Sequence, residues 1–261
     1  MPLAHIRRGS GPPLVLIHGI GSQWQMWKPV LDRVSREREV VAVDLPGFGE
    51  SAALPAAPSV EALAASVAGL LEALGLRGVH AAGNSLGGAI ALALARAGTA
   101  RSACVLSPAG FGNMREGAYA RAVLAGSWRA AKALDRCADV VVAGPVRRTL
   151  AFGHLVARPW RIPAAEAAGA LRNLARSPGF AATLDAVREH TFGGRPPDCP
   201  VTIAGGEKDR LLLDSRQSAR ARRLLPDARH VTLDGCGHVP TWDDPEQVAR
   251  VVLEASAGVR G

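Results

Sequence analysis

The chain has 261 residues, of which 48% are hydrophobic and 21% are charged, and this balance is typical of a globular protein with one sizeable core. No run approaches the roughly 18 consecutive apolar residues that a membrane-spanning helix needs, which argues against a membrane span. The net charge of +8 comes mainly from arginine, and since no nucleic-acid-binding motif accompanies it, we expect solvated helix faces and no specific nucleic-acid partner.

Strands and helices alternate through most of the chain. Short apolar runs predict buried parallel strands at residues 14–18, 40–44, 79–82, 103–107, 201–204 and 229–233. Ser59 is expected to begin a helix that Gly75 ends, and further helices are predicted over 89–97 and 245–255. This alternation predicts an α/β fold, with a mostly parallel sheet and helices on both of its faces.

About ninety residues separate the fourth predicted strand from the fifth, and they contain no clear core strand. Val140–Ala143 is ambiguous between strand and helix. The remainder predicts three or four helices, divided at Pro145, Pro159, Pro163 and Pro178. A long helical insertion at one point of a parallel sheet is typical of a lid. We therefore predict a core formed by residues 1–110 and 198–261, with a helical cap over residues 111–197.

Gly83–Gly87, with the sequence Gly-Asn-Ser-Leu-Gly, matches G-x-S-x-G and lies between a predicted strand and a predicted helix. A turn from strand to helix over so few residues strains the backbone at the serine, and the flanking glycines allow close backbone approach. The turn also presents the serine hydroxyl near the positive end of a helix. We interpret Ser85 as a catalytic nucleophile. The alternative is an ordinary glycine-rich turn in which Ser85 caps the helix.

A serine hydroxyl needs a base to take its proton. His238 is the best candidate among seven histidines, because it lies in a glycine-rich loop directly after the last predicted strand. Asp209 follows the fifth predicted strand and is the expected carboxylate that orients the imidazole, with Asp214 and Glu207 as alternatives. Cys236, two residues before His238, is a weaker candidate for the nucleophile.

The oxyanion that forms when a serine attacks a carbonyl needs preorganised donors. The backbone N–H of Leu86, directly after the nucleophile, is one candidate. The second is the N–H of Ile20, in the loop after the first predicted strand, with Gly21 as its alternative. His18 in the same loop is expected to hold that loop by a side-chain hydrogen bond.

Five motifs in this chain resemble those of the α/β-hydrolase superfamily, and they are spread over nearly its whole length: His18–Gly21, Asp44–Ser51, Gly83–Gly88, Gly206–Asp209 and Gly237–Pro240. The order Ser85, Asp209, His238 along the chain is also the order of that fold. The resemblance implies a cap over the active site and a catalytic serine, aspartate and histidine at these positions. The family usually opens with an antiparallel hairpin, but only His5–Arg8 precedes the first core strand, so we expect a shortened first edge.

Gly-Asn-Ser followed by Gly-Gly also resembles the carbon–carbon bond hydrolases of aromatic ring degradation, which often carry a tryptophan where this chain has Val239. Relatives with an aspartate nucleophile are excluded by Ser85. We predict hydrolysis of a carboxylic ester of a moderately apolar small molecule through an acyl-enzyme. The alternatives are carbon–carbon bond hydrolysis of a vinylogous diketone, a non-hydrolytic elimination or acyl transfer, and a receptor without catalysis.

The side chains expected to contact the substrate lie beside the nucleophile, after the histidine, near the oxyanion loop and in the cap: Trp24, Asn84, Phe111, Met114, Phe152 and Val239. Four well-separated cysteines form no CxxC pair, and no histidine has further ligands at metal spacing, so we expect neither a metal nor a cofactor. The N-terminus does not resemble a signal peptide, and we expect a cytoplasmic protein. The sequence leaves the oligomeric state open.

Overall fold

The computed structural model describes residues 3–187, 190–212 and 214–257, except for the side chains of residues 214 and 215. Its strands are β1 (His5–Arg8), β2 (Pro13–Ile17), β3 (Glu39–Val43), β4 (Val79–Asn84), β5 (Ala100–Leu106), β6 (Val201–Gly206) and β7 (Arg229–Leu233). Within this part of the chain they form one sheet in the order β1-β3-β2-β4-β5-β6-β7. β1 pairs antiparallel with β3, and the other neighbours pair in parallel. The predicted mostly parallel sheet is confirmed.

The α-helices are α1 (Lys28–Val34), α2 (Val60–Ala73), α3 (Leu86–Arg96), α4 (Met114–Leu134), α5 (Ala138–Val141), α6 (Pro145–Phe152), α7 (Ala164–Arg176), α8 (Phe180–Ala186), α9 (Asp214–Leu224) and α10 (Pro245–Ala257). Helices α1 and α10 pack on one face of the sheet, while α2 and α3 pack on the other. The predicted α/β class, with helices on both faces, is therefore confirmed.

Alternating side chains of the central strand β2 supply both layers of the core. Val15 and Ile17 join the cluster that contains the buried residues of α2 and α3. Leu14 and Leu16 point the other way and pack with the buried residues of α1 and α10. A strand covered on both faces reads as a continuous apolar run, which is why the sequence pattern located it.

The ends of several elements differ from the predicted ones. Ser59 caps α2 by accepting a hydrogen bond from the Ala62 N–H at 3.1 Å, and Gly75 ends it in a left-handed conformation, as expected. Strand β4 continues to Asn84, however, and α3 begins at Leu86, three residues earlier than predicted. Helix α9 was not predicted, because four of its eleven residues are arginine and they obscure its short apolar stripe.

The segment between β5 and β6 is helical, and we name α4 to α8 the insertion. The described residues contain five α-helices there, one more than the upper expectation, because α5 is a single turn. Val140, in the ambiguous run, belongs to that turn. Pro145 starts α6 and Pro163 caps α7, where a missing N–H costs nothing. The boundaries predicted for a separate cap domain, 111–197, stay a prediction.

The first edge of the sheet is short, as the sequence predicts: β1 has four residues, and His5 to Arg8 pair with Val43 to Val40 of β3. Within residues 3–187, 190–212 and 214–257, none of the helices combines the length and the apolar composition needed to cross a bilayer. The parallel strands β2, β4, β5 and β6 end at the same edge of the sheet, so the loops after them converge there.

His80, buried in β4, makes the stability of the fold sensitive to acid. Its Nδ1 lies 2.8 Å from the Ser102 hydroxyl. Burial, with smaller contributions from the charges of Arg101 and Arg38, lowers the pKa of His80 to about 4. Between pH 6.5 and 4 the unfolded chain binds a proton that the folded chain does not, so stability falls as the pH drops through this window.

We expect His80→Gln to reduce this acid loss by roughly 1–2 kcal/mol, because glutamine keeps a hydrogen bond to Ser102 and does not titrate. The measurement is the free energy of unfolding by denaturant at pH 7 and at pH 4.5 for both proteins. An equal loss in wild type and variant would contradict the assignment. His5→Gln, at a partly exposed position on β1, is the matched control.

Candidate active site

Ser85 occupies the turn between β4 and α3 in a conformation that side chains rarely adopt, with φ 56° and ψ −115°. Two glycines make this turn sterically possible. A Cβ on Gly83 would lie 2.1 Å from the Gly87 carbonyl oxygen, and one on Gly87 would lie 2.2 Å from the Ile17 carbonyl oxygen. Strain of this kind persists only where the surroundings fix it, and it marks functional sites.

The backbone around Ser85 is held on three sides. Its N–H donates to the Leu106 carbonyl at 2.9 Å, at the end of β5. Its own carbonyl accepts from the N–H groups of Gly88, Ala89 and Ala109. The side chain therefore has a fixed origin at the N-terminus of α3, where the helix dipole favours negative charge.

His238 and Asp209 form a buried pair in the loops that follow β7 and β6. His238 Nδ1 donates to Asp209 Oδ2 at 2.8 Å, and Asp209 Oδ1 accepts from the N–H groups of Leu211 and Leu212 at 2.9 and 2.8 Å. Burial alone would raise the pKa of Asp209, but the charge and hydrogen bond of His238 and the two N–H donors outweigh it, so the pKa lies below its ordinary value. Asp209 is thus a carboxylate at neutral pH.

The alternative carboxylates are placed differently. Glu207 Oε2 accepts from the Gly235 N–H at 2.7 Å, where it holds the loop that precedes His238. The side chain of Asp214 lies outside the described residues.

Asn84, predicted to contact the substrate, uses its amide on the protein itself. Its Nδ2 donates to the carbonyl of Leu106 at 3.1 Å and to the carbonyl of His238 at 2.8 Å. The side chain is 1% exposed. We name residues 234–240, which include His238, the histidine loop. Asn84, which directly precedes Ser85, therefore ties the histidine loop to the end of β5. It also lines the cavity described next.

Two cavities meet at Ser85. The small cavity, of about 140 Å³, lies between the histidine loop and the insertion, and its walls include His238 and Val239. The large cavity, of about 870 Å³, extends along α4 towards Leu211 and Leu212. Ile20 and Ser85 line both, whereas His238 lines the small cavity but not the large one.

The loop after β2 approaches Ser85 closely. A Cβ on Gly19 would lie 3.2 Å from the Ser85 Cβ. His18 fixes this loop: its Nε2 accepts from the Leu45 N–H at 2.9 Å, and its Nδ1 donates to the Gly19 carbonyl at 2.7 Å. Burial lowers the pKa of His18, so the ring stays neutral and keeps both bonds. Ile20, the predicted donor in this loop, and Leu86 both line the large cavity beside Ser85.

The other predicted substrate contacts divide into two groups. Phe152 and Val239 line the small cavity, and Met114 lines the large one. Phe111 does not: it is 2% exposed and stacks on Phe192 in the core, with ring centroids 5.0 Å apart. Trp24 also stands apart from the described walls of both cavities and lies under Lys28, whose Nζ is 5.8 Å from its ring centroid. The structure does not bring these two aromatic residues to Ser85.

The model of the alpha/beta hydrolase family matches residues 14–251. The chain belongs to this family. A dihydrolipoyllysine-residue acetyltransferase component of the acetoin cleaving system from Pseudomonas putida is 30% identical over 93% of this chain and 63% of its own length. A 2-hydroxy-6-oxo-2,4-heptadienoate hydrolase from the same species is 43% identical over 33% of each chain. The chain thus spans less than two thirds of the length of these relatives.

Among solved structures, this chain is similar to a thermophilic esterase from Thermogutta terrifontis. The two chains are 25% identical with a TM-score of 0.73, and the likeness covers 97% of this chain and 92% of the other. The family assignment agrees with the resemblance that the five sequence motifs indicate.

Two further kinds of site, a cysteine nucleophile and a metal centre, can be compared with the structure. Burial raises the pKa of the Cys236 thiol to about 12, helped by nearby carboxylates such as Asp243, so the thiol is protonated at neutral pH and is a poor nucleophile. Within the described residues, no cluster of three or more histidine, cysteine, aspartate or glutamate side chains could hold a metal ion.

Asp243 is a residue that sequence reasoning missed. It is fully buried, and its carboxylate accepts from the backbone N–H groups of Ala157, Arg158 and Gly237 at 3.0, 2.6 and 2.8 Å. Gly237 directly precedes His238, while Ala157 and Arg158 belong to the insertion. Asp243 therefore fixes the histidine loop and the insertion to one another. The position of Asp243 shortly after Gly237 and His238 could have marked it as a candidate for a structural role near the histidine. The sequence does not, however, reveal its hydrogen-bond partners.

We expect Asp243→Asn to lower the free energy of unfolding by about 2–3 kcal/mol, because the amide NH₂ faces a backbone donor that the carboxylate satisfied. Denaturant unfolding followed by fluorescence is the measurement. Asp32→Asn, which alters an exposed ion pair with Arg8, is the control and should change stability by no more than about 0.5 kcal/mol. A loss for Asp243→Asn no larger than the control's would contradict this role.

Proposed function

We propose that this hydrolase cleaves carboxylic esters through a covalent acyl-enzyme on Ser85. The observation that carries the proposal is the strained Ser85 at the meeting point of two cavities, one of which is lined by a histidine paired to a buried carboxylate. A hydroxyl, a base and an orienting carboxylate, together with room for a substrate on either side, are the elements that acyl transfer requires.

In the proposed reaction His238 takes the Ser85 proton on Nε2 while the Ser85 oxygen attacks the ester carbonyl. Asp209 keeps the proton of His238 on Nδ1 and stabilises the imidazolium. The resulting oxyanion accepts from the backbone N–H groups of Ile20 and Leu86. The imidazolium then protonates the departing alcohol, and a water molecule repeats the sequence on the acyl-enzyme to release the acid.

Asn84 has a positioning role in this proposal. Its two hydrogen bonds join the carbonyl of His238 to that of Leu106, which also accepts from the Ser85 N–H. The backbones of the proposed base and the proposed nucleophile are therefore both connected by hydrogen bonds to the carbonyl of Leu106. Misplacement of reacting groups by about 1 Å can cost about a hundred-fold in rate, so such a link has catalytic value.

The two cavities divide the substrate between them. Because the departing alcohol takes its proton from His238, it occupies the small cavity, which His238 lines, and the acyl group extends into the large cavity. A cavity of about 150 Å³ with apolar walls holds a benzene molecule. The small cavity, of about 140 Å³, therefore fits an alcohol up to the size of a phenol.

Ser85→Ala is expected to lower ester turnover by about a million-fold and to prevent labelling by a fluorophosphonate probe, because it removes the proposed nucleophile. Asp209→Asn is expected to lower kcat by about ten-thousand-fold with little change in KM, since it removes the anion that holds the imidazole. Turnover of phenyl acetate and gel-based probe labelling measure these effects. Ser10→Ala, at an exposed position that lines neither cavity, is the control. Probe labelling that persists in Ser85→Ala would overturn the proposal.

Replacing the phenyl leaving group of an ester by a naphthyl group is expected to lower kcat/KM by at least roughly ten-fold, because the second ring exceeds the small cavity. Lengthening the acyl chain from acetyl to octanoyl is expected to be tolerated in the large cavity. The measurement is kcat/KM for both series of esters. A sharp limit on the acyl chain with a tolerated naphthyl group would reverse the assignment of the two cavities.

Carbon–carbon bond hydrolysis is a second candidate, supported by the local 43% identity to the heptadienoate hydrolase of Pseudomonas putida. The same serine and histidine would serve a vinylogous diketone. Val239 leaves the wall after His238 aliphatic, and the amide protons of Asn84 are already engaged, so neither of these two residues offers a donor to the polar dienoate. Turnover of a ring-fission dienoate without turnover of any phenyl ester would favour this second candidate.

A further inference from the structure

The outer side of the insertion, opposite its contact with the catalytic cavities, exposes several large apolar side chains. We name residues 136–161 the outer face of the insertion. Its side chains Val140, Val146, Leu150 and Trp160 are exposed by 61, 71, 81 and 50%. Val146 and Leu150 are four residues apart in α6 and so lie on one side of that helix. Apolar side chains this exposed and this close together mark a surface that contacts something.

Backbone contacts hold this surface together. The Arg147 guanidinium donates to the Val140 carbonyl at 2.7 Å, and that of Arg148 donates to the carbonyls of Val142 at 2.9 Å and Trp160 at 3.4 Å. These bonds join α5, α6 and the turn that contains Trp160. The exposed apolar groups are therefore parts of one continuous face.

The same face is strongly basic. Arg136, Arg147 and Arg148 have no carboxylate partner within the described part of the chain, since the contacts of the latter two are to carbonyl groups. Asp139, the one acidic residue of the segment 136–161, is paired with Arg172 of α7. The exposed apolar groups thus lie among uncompensated positive charges.

The other side of these elements reaches the proposed active site. Phe152, two residues after the exposed Leu150, lines the small cavity, and so do Leu155 and Val156. The Val239 N–H, next to His238, donates to the Leu155 carbonyl at 2.9 Å. Whatever contacts the outer face is therefore separated from the small cavity by the thickness of one helix.

We propose that the outer face of the insertion docks on the surface of an anionic phospholipid bilayer. Exposed valine, leucine and tryptophan side chains insert at the level of the headgroups, and arginines between them meet lipid phosphates and anionic headgroups. Two other occupants fit less well. A second copy bound through the same face would bring unpaired arginines against one another. A nucleic acid would pair with the arginines but leave the aliphatic groups without partners.

The experiment measures binding to vesicles by co-sedimentation, with the full chain carrying Ser85→Ala so that lipid turnover does not interfere. Vesicles of phosphatidylcholine with 30% phosphatidylglycerol are compared with vesicles of phosphatidylcholine alone. Binding is expected to the anionic vesicles and to fall steeply between low and high salt, because an arginine near an anionic bilayer contributes about a five-fold gain in partition.

Matched variants distinguish the face from the net charge of the protein. Val146→Ser with Leu150→Ser, and separately Arg136→Glu with Arg147→Glu, are each expected to weaken vesicle binding by at least about ten-fold. The control Leu224→Ser is compared with the single variant Leu150→Ser, and the control pair Arg77→Glu with Arg250→Glu is compared with the arginine pair of the face. Each control changes the same residue types at exposed positions elsewhere and should keep more binding than the matching face variant. All of these positions are exposed, and circular dichroism checks that the variants fold.

Several outcomes would overturn the proposal: no binding to anionic vesicles, equal losses in face variants and controls, or a dimer in light scattering that Val146→Ser with Leu150→Ser dissolves. Retention on DNA in place of vesicles, abolished by the same arginine variants, would overturn it in favour of a nucleic-acid surface. Because the assay uses Ser85→Ala, its result is independent of the ester chemistry, which phenyl acetate turnover tests separately.

Discussion

The close approach of backbone to backbone at the turn between β4 and α3 is the constraint on which the rest of the site depends. Gly83 and Gly87 let the chain reverse direction with no Cβ between them, and the resulting strain at Ser85 is held by hydrogen bonds from three directions. The central parallel strands supply the rigid frame that keeps such strain from relaxing. The proposed chemistry therefore rests on backbone packing at this turn and on the strands behind it.

The fold could be predicted from the sequence because buried parallel strands are apolar on both sides, and the ends of such strands meet at one edge. This rule, together with the G-x-S-x-G motif and the order of the three residues along the chain, predicted that Ser85, Asp209 and His238 lie near one another. Helix α9 escaped prediction because arginines obscure its apolar positions, and the start of α3 was misplaced because glycines hide a helix that tertiary contacts enforce. Packing overruled local preference only at the start of α3, since arginine itself is a good helix former.

The walls of the site were less predictable, since the type of a residue does not reveal where its side chain points in the fold. Phe111 and Trp24 are large aromatic residues near the site in sequence, yet one stacks in the core and the other packs beneath a lysine. Asn84 lines the small cavity, but its bond to the carbonyl of His238 spans 154 positions of the chain. Asp243 joins segments about 85 residues apart. Contacts between such distant segments have no local signature.

The bond from the Val239 N–H to the Leu155 carbonyl, together with the buried carboxylate of Asp243, has a consequence for how the molecule moves. The insertion is fastened to the loop that carries the proposed base, so a rigid-body displacement of its helices would drag the imidazole with it. A motion that opens the site would then take place on the side of α4, away from residues 155–158. Residues 155–158 would act as the pivot of this motion and would stay bonded to the loop that carries His238. A substrate could then enter without displacing the imidazole.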